Sequence, residues 1–374
     1  MARDKELYAR EEGEEWLPID EFERRVGEDL NRGIPPKADA QHPYSSKRNY
    51  FEWWYFDADL EDGHHLLLEL QVPNLLRPWK KQCCMLFHIN TPDGGKLLNF
   101  VPFPRSEFRA SSETCDVAIA HNTIKGEYPE YRVKFTHQNH ACDLTFRNLC
   151  PGWGRGGGEI CFGNPSRPHL FGWIVPQPRA EVSGTLTVNG VTHEARGKGY
   201  HDHNWANCAM PSVLSHWHWG RLVMEEITMI FADVVARAGF GHRHIPIFFI
   251  ARGDRILFES GEGEFQASDY VMDDQGVQVY PRKLSCRFGE GDISGWMEFE
   301  VKEVVEVTDG LMQMGFPSPL VSLIGKTLAR PAYYRFFSDF RGELDLAGEK
   351  VSLGENTYYE YMVLSLRQGQ VPRF

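Results

Sequence analysis

The segment Tyr200–Trp205 contains an acid, two imidazoles, a phenol, an amide and an indole within six residues. It follows two strand-like runs joined by Asn189-Gly190, a dipeptide typical of tight β-hairpins. Reactive side chains are held more rigidly by a sheet than by a loop. The segment is therefore the leading candidate for a site that does chemistry.

The side chains of a strand alternate between its two faces. On a regular strand Tyr200, Asp202 and Asn204 share one face, and His201 and His203 share the other. Asp202 is a candidate proton donor, because burial or a neighbouring carboxylate would keep its carboxyl protonated. Tyr200 would orient Asp202 or the substrate, and the two histidines are further catalytic candidates. The competing interpretation makes Asp202 a structural acid bonded to backbone amides.

Aromatic residues are dense in two short runs, Phe51–Phe56 and His216–Gly220, one near the start of each half of the chain. Tryptophan faces stabilise a carbocation by cation–π attraction, which suits acid chemistry on an alkene. At least two of the five tryptophans in the candidate set are expected to line a pocket, although ordinary core packing is the competing interpretation. The candidate substrate-binding residues are Glu52, Trp53, Trp54, Tyr55, Trp173, Asn204, Trp217 and Trp219.

From Tyr50 onward, apolar residues alternate or run for strand lengths between turn dipeptides such as Asp62-Gly63 and Asp93-Gly94. This pattern predicts an all-β fold of two antiparallel barrels or sandwiches joined near 206–215. The two aromatic runs hint at an internal repeat. Helix is expected mainly near 20–32 and 319–329. The predicted divisions are a lead-in over 1–45 and β domains over 46–207 and 208–374.

Composition limits the classes of partner. The chain of 374 residues carries a net charge of −12 and no block of Lys and Arg, which argues against nucleic acid. Its eight cysteines lack a disulfide-framework spacing and are interpreted as reduced, mostly buried thiols. A charged N-terminus without an apolar run predicts a cytosolic, soluble protein. Transient contact with a membrane surface during substrate uptake stays open, as does the oligomeric state.

Three blocks in order carry a resemblance to a known family: Glu52–Phe56, Trp173–Leu186 and Tyr200–Trp205. They resemble the AttH and carotenoid 1,2-hydratase (hydroxyneurosporene synthase) family. The resemblance implies two lipocalin-like barrels in tandem, related in fold to fungal Diels–Alderases, and chemistry without a cofactor on isoprenoid or polyene molecules.

Hydratase members of that family use a Tyr-x-Asp pair together with an upstream His and Trp. The pair matches Tyr200 and Asp202, and the tryptophan matches Trp173. Phe171 stands two residues before Trp173, where the histidine would be, and the nearest histidine is His169. The resemblance therefore implies an acid site at Tyr200 and Asp202 that departs from the hydratase pattern at position 171.

The residues and the resemblance are compatible with three functions. The first is acid-catalysed hydration, cyclisation or rearrangement of an isoprenoid or polyene, by a lyase or isomerase. The second is a pericyclase (Diels–Alderase-like) acting on a polyene polyketide or terpenoid, in which no proton donor is obligatory. The third is a lipid or pigment carrier without turnover.

A metal site is the alternative chemistry. Histidine pairs with His-x-His spacing occur at 201/203, 216/218 and 242/244, and such a pair on a strand presents two imidazoles to one side. The family resemblance implies no metal, so the prediction is that no tightly bound metal or organic cofactor is needed.

Overall fold

The computed structural model describes residues 31, 33–44, 49–73, 75, 80–155, 158–164, 167–315 and 318–372. Most of them lie in antiparallel strands of two sheets, which confirms the predicted all-β class with few short helices. The chain divides into two compact units. The first unit holds the described residues up to Ala209 together with Gly253–Ile256, and the second holds Met210–Arg252 and the described residues from Leu257 onward.

The first sheet consists, within the described chain, of twelve strands. They are β1 (Phe51–Leu60), β2 (His65–Val72), β3 (Gln82–Asn90), β4 (Lys96–Pro104), β5 (Phe108–Ala110), β6 (Cys115–Ile119), β7 (Asn122–Glu127), β8 (Glu130–His137), β9 (His140–Asn148), β10 (Glu159–Phe162), β11 (His169–Val188) and β12 (Val191–Ala206). Their order is β4-β3-β2-β1-β12-β11-β9-β8-β7-β6-β5, with β10 paired to β11. Because β6 contacts β2 and β3, the sheet curls round on itself.

The second sheet has nine strands among the described residues. They are β13 (Leu214–Met224), β14 (Ile227–Ala236), β15 (His244–Arg252), β16 (Arg255–Ser260), β17 (Gly263–Met272), β18 (Val279–Glu290), β19 (Ile293–Asp309), β20 (Ala332–Leu346) and β21 (Glu349–Val363). The order β16-β15-β14-β13-β21-β20-β19-β18-β17 again places the first strand beside the last. The two aromatic runs lie on these equivalent strands, β1 and β13.

Helices are short in the described chain. The α-helices are α1 (Met210–Val213), α2 (Gly310–Gln313) and α3 (Ser318–Thr327), and the 3₁₀ turns are Pro36–Asp39, Arg105–Glu107 and Ala238–Phe240. The helix expected near 319–329 is thus confirmed as α3, whereas the one expected near 20–32 lies almost wholly outside the described residues. No helix in the described part of the chain is long and apolar enough to cross a membrane.

Each sheet buries one face in its own hydrophobic core. In the first unit the core face of β1 carries Trp54, Phe56 and Ala58, which pack with residues such as Leu68 and Phe146. The opposite face of the same sheet is the outer face.

All eight cysteines are described and free, and seven of them are buried. Because side chains alternate along a strand, neighbouring residues of one strand lie on opposite faces of the sheet.

The hairpin between β11 and β12 sets the register of the candidate segment. Asn189 and Gly190 both have positive φ, 52° and 80°, as the two central residues of a type I′ turn require. Beyond the turn, β12 pairs with β1 from Phe51↔Ala206 to Leu60↔Gly197. This pairing brings the segment Tyr200–Trp205 against the aromatic strand β1.

Candidate active site

The register separates the acid from the imidazoles. Asp202 stands opposite Tyr55, and His203 stands opposite Trp54. Trp54 belongs to the core face, so His201 and His203 point into the first unit and Asp202 lies on the outer face. The arrangement expected from strand alternation is the one in the structure.

The outer face carries a row of three polar side chains across three strands. Tyr55 pairs with Asp202 on one side and with Glu69 on the other. The neighbouring rows of this face contain Gln71, Trp53 and Asn204, and Leu67, Asp57 and Tyr200. Two strand spacings separate Glu69 from Asp202, roughly 10 Å between their Cα atoms.

Asp202 is held by three side-chain donors. The Tyr200 hydroxyl donates to Oδ2 at 2.9 Å, and the Trp173 indole N–H donates to the same oxygen at 3.2 Å. The Asn204 amide donates to Oδ1 at 3.1 Å. Since Oδ2 accepts two bonds and Oδ1 only one, Oδ1 is the oxygen with room for a proton. The partners of Asp202 are thus side chains, and no backbone amide of the described residues is among them.

Burial raises the pKa of Asp202 to about 6, against the hydrogen bonds from Tyr200 and Trp173, which lower it. Only 8% of the residue is exposed. A carboxyl of this kind is a better acid than a phenol or a neutral imidazole and still retains its proton in mildly acidic solution. The position has the properties of a general acid.

Glu69 is a second unusual carboxyl on the same face. Burial, and then the charge of Asp202, raise the pKa of Glu69 to about 8. The Gln71 amide donates to its Oε1 at 2.9 Å, and the Gln71 side-chain oxygen Oε1 accepts from the backbone N–H of Leu75. Gln71 therefore fixes the orientation of Glu69.

An aromatic strip adjoins these polar groups. Trp53 stacks on Phe51 with ring centroids 5.0 Å apart, and Trp173 meets Trp153 edge to face at 5.8 Å. Phe171 lies two residues from Trp173 on β11 and contacts Phe51 at 6.5 Å. Trp53 and Trp173 are the cross-strand neighbours of Asn204, which lies two residues from Asp202 on β12.

The other predicted aromatic residues lie elsewhere. Trp54 is fully buried on the core face, where its indole N–H donates to the carbonyl oxygen of Asp39. Trp217 and Trp219 belong to the second unit and are half-buried, whereas His216 and His218 on the same strand are buried. Of the five tryptophans, Trp53 and Trp173 share the face of Asp202.

The two histidines of the segment join a buried ion-pair network on the core face. His201 Nε2 lies 3.0 Å from Asp39, and its Nδ1 lies 2.9 Å from the carbonyl oxygen of Tyr55. His203 Nε2 lies 2.9 Å from Glu52, and its Nδ1 makes a 3.1 Å ion-pair contact with Asp39. Both nitrogens of each ring thus face oxygen acceptors.

Charge compensation governs this network, which also includes His42 and Tyr50. Burial alone would lower the pKa of His203, but the carboxylates of Asp39 and Glu52 raise it to about 9. Burial likewise opposes ionisation of Asp39 and Glu52, yet the histidines hold both pKa values below their usual range. His42 and Tyr50 donate to Glu52. The network is a charge-compensated assembly, and it lies on the opposite face from Asp202.

Two groups in this network have ligand atoms within 4.8 Å of one another, namely His42, Glu52 and His203, and Asp39, Cys115 and His201. In each group the carboxylate already pairs with the imidazole beside it. Hydrogen bonding therefore accounts for the arrangement. Among the described residues, neither the pair His216 and His218 nor the pair His242 and His244 contributes to such a group.

Among the residues that the structure brings to these sites and sequence reasoning missed are Glu69, Gln71, Asp39 and His42. Glu69 and Gln71 interrupt the apolar run of β2 at alternate positions, a signal that two polar side chains share one face. Asp39 and His42 lie in the irregular lead-in, where no periodicity relates them to β12. Their contacts depend on how the lead-in packs.

Comparison with known proteins gives one family match. The profile described as carotenoid hydratase CrtC matches residues 164–272, which include Trp173 and the segment Tyr200–Trp205.

Three curated relatives match parts of the chain. A hydroxyneurosporene dehydrogenase from Chlorobaculum tepidum is 32% identical over 17% of this chain and 19% of its own length. The quinolone epoxide rearrangement protein asqO from Emericella nidulans is 32% identical over 17% of each chain. The ceramide-binding protein svf1 of the same fungus is 23% identical over 39% of this chain and 40% of its own. The chain thus spans less than half the length of these relatives.

Solved structures share the fold over nearly the whole chain. A protein designated AttH from Nitrosomonas europaea has a TM-score of 0.58 at 14% identity, covering 90% of this chain and 98% of its own. Kievitone hydratase from Nectria haematococca has a TM-score of 0.57 at 16% identity, covering 90% of this chain and 94% of its own. CghA gives 0.60 at 13%, covering 95% and 99%. The resemblance to the carotenoid hydratase CrtC and AttH family is therefore confirmed, by the family profile in sequence and by these structures in fold.

Proposed function

We propose that this protein is a lyase or isomerase that hydrates, cyclises or rearranges a hydrophobic isoprenoid or polyene by acid catalysis. The reaction takes place on the outer face of the first sheet. Asp202 is the proton donor, Tyr200 and Trp173 position its carboxyl, and neither a metal nor an organic cofactor is required.

The observation that carries the proposal is the environment of the Asp202 carboxyl. Its carboxyl is buried, its pKa is raised to about 6, and its three side-chain partners leave one site on Oδ1 for a proton. Protonation of an alkene carbon requires an acid stronger than phenol in a site with little water. Asp202 meets this requirement.

The aromatic strip supports an apolar substrate. Trp53 and Trp173 present rings beside the acid, where they would stabilise positive charge on a protonated alkene. The strip contains few polar groups, as pockets for apolar molecules do. Relatives named for a hydratase and for an epoxide rearrangement protein are consistent with acid chemistry of this class.

We expect product formed in deuterium oxide to carry one solvent deuteron in a carbon-bound, non-exchangeable position per turnover. The reason is that an acid-catalysed reaction makes a new C–H bond with the proton of Asp202, which exchanges with solvent. Lycopene, a polyene, and geranylgeraniol, an isoprenoid, serve as first probes, with the products analysed by mass spectrometry.

The alternatives give different results in the same experiment. A pericyclase converts its substrate without incorporating deuterium, because no proton is transferred. A carrier binds the probe, seen as quenching of tryptophan fluorescence, and returns it unchanged. Either result with a substrate of this class would contradict the proposal.

A further inference from the structure

We infer that Glu69 is a second catalytic carboxyl, which acts with Asp202 as an acid–base pair on one substrate molecule. The inference rests on the function proposed above and adds a group that the family's Tyr-x-Asp pattern does not contain.

The geometry places the two carboxyls on either side of one tyrosine. Tyr55 is the cross-strand partner of both Glu69 and Asp202, so all three side chains project from the same face. At roughly 10 Å between Cα atoms, both carboxyls are within reach of a single chain-like substrate lying over the Tyr55 ring.

The contacts of Glu69 suit a reacting group. Gln71 holds Oε1, and no hydrogen bond to Oε2 is present among the described residues, although the side chain is largely buried. The available oxygen leaves Glu69 able to contact a substrate or its attacking water.

Hydration needs both an acid and a base, and the pair supplies them. The protonated Asp202 gives its proton to one alkene carbon, and the π electrons form the new C–H bond. A water molecule donates a lone pair to the resulting carbocation, and its surplus proton passes to the ionised Glu69. In cyclisation or rearrangement, Glu69 takes the proton lost from carbon instead. Exchange of one proton between the carboxyls, through solvent, restores the starting state.

The electrostatics of the outer face favour one shared proton. The titratable groups facing the pair are Asp57 and Tyr55 from β1, Tyr200 from β12, and Cys84 and His88 from β3, with His201 behind the sheet. Burial lowers the pKa of His88 to about 4, so it adds no positive charge near neutral pH. With pKa values of about 6 and about 8, Asp202 and Glu69 together hold one proton in the interval between them. The proton resides mainly on Glu69, and the reactive form is the minority form that carries it on Asp202.

The test measures kcat/KM against pH for the wild type, Glu69→Gln and Asp202→Asn, with the probe shown to be turned over. The wild type should give a bell with limbs near 6 and 8, between which the carboxyl pair holds one proton. Glu69→Gln should lower kcat by at least about a hundredfold, the lower end for acid–base catalysis, and remove the acidic limb, which reports protonation of the base. Asp202→Asn should remove the alkaline limb, which reports loss of the proton that the acid donates. The exposed Glu130→Gln on β8 is the matched control.

Folding of Glu69→Gln is checked by its melting temperature. Glu69 has a folded pKa above its unfolded value, so the wild type loses stability as pH rises towards 8, and the amide variant should lose less. If a folded Glu69→Gln variant retains wild-type kcat and profile while Asp202→Asn is inactive, the inference fails and the proposed function stands. If both variants are fully active, the proposed function fails as well.

Discussion

Replacing Asp202 with asparagine is expected to reduce turnover by at least about a hundredfold, with substrate affinity largely unchanged. The amide oxygen can accept the bonds from Tyr200 and Trp173, and a flipped Asn204 amide can accept from the new NH₂ group. The shape of the site is kept and only the proton is lost. Steady-state kcat and a direct binding measurement separate the two effects.

Asp59→Asn is a suitable control for this variant. Asp59 lies on the same strand as Tyr55, is exposed, and pairs with His65 at 2.6 Å, away from the acid site. We expect it to retain activity within a factor of about two, as for other exposed positions. Near-normal turnover in Asp202→Asn would reject acid catalysis and favour the pericyclase alternative.

The second large effect concerns stability. His203→Gln is expected to reduce the free energy of opening of β1 and β12 by about 3–5 kcal/mol, because it leaves two buried carboxylates without their shared cation. Native-state hydrogen exchange of peptides from these strands, measured by mass spectrometry, reports the loss locally. The exposed His121→Gln is the control and should change little.

The pH dependence of this loss has a defined sign. The folded pKa of His203, about 9, exceeds the ordinary value of 6.5, so its stabilisation is complete below about 6.5 and disappears as pH rises through about 9. Asp39 and Glu52 have lowered pKa values, so their contribution disappears on acidification instead. The difference in the free energy of opening between wild type and His203→Gln should therefore decrease from pH 6.5 to pH 10. An equal difference at both values would contradict the ion-pair account.

The sequence predicted the fold class because alternation and turn dipeptides are local signals. Asn189-Gly190 specifies its own turn, and that turn aligns β12 with β11. Alternation alone also separated Asp202 from His201 and His203. What it could not supply was the identity of each face, since which side is buried depends on strands far apart in sequence.

The partners of these residues depended on long-range pairing. Glu69 is close to Asp202 only because β1 lies between β2 and β12. Asp39 meets His201 and His203 across 162 and 164 residues of sequence, from a segment without periodicity. Glu52 and Trp54 were expected near the substrate, but their positions on β1 turn them to the core face.

The most direct test of the account is a crystal structure of the Asp202→Asn variant with an unreacted substrate bound. We expect the reacting carbon within about 3–3.5 Å of the side chain at position 202. The apolar chain should lie on Trp53 and Trp173, and the polar side of the site should be the one that contains Glu69. A substrate bound inside either hydrophobic core, or on the second unit away from Asp202, would contradict it.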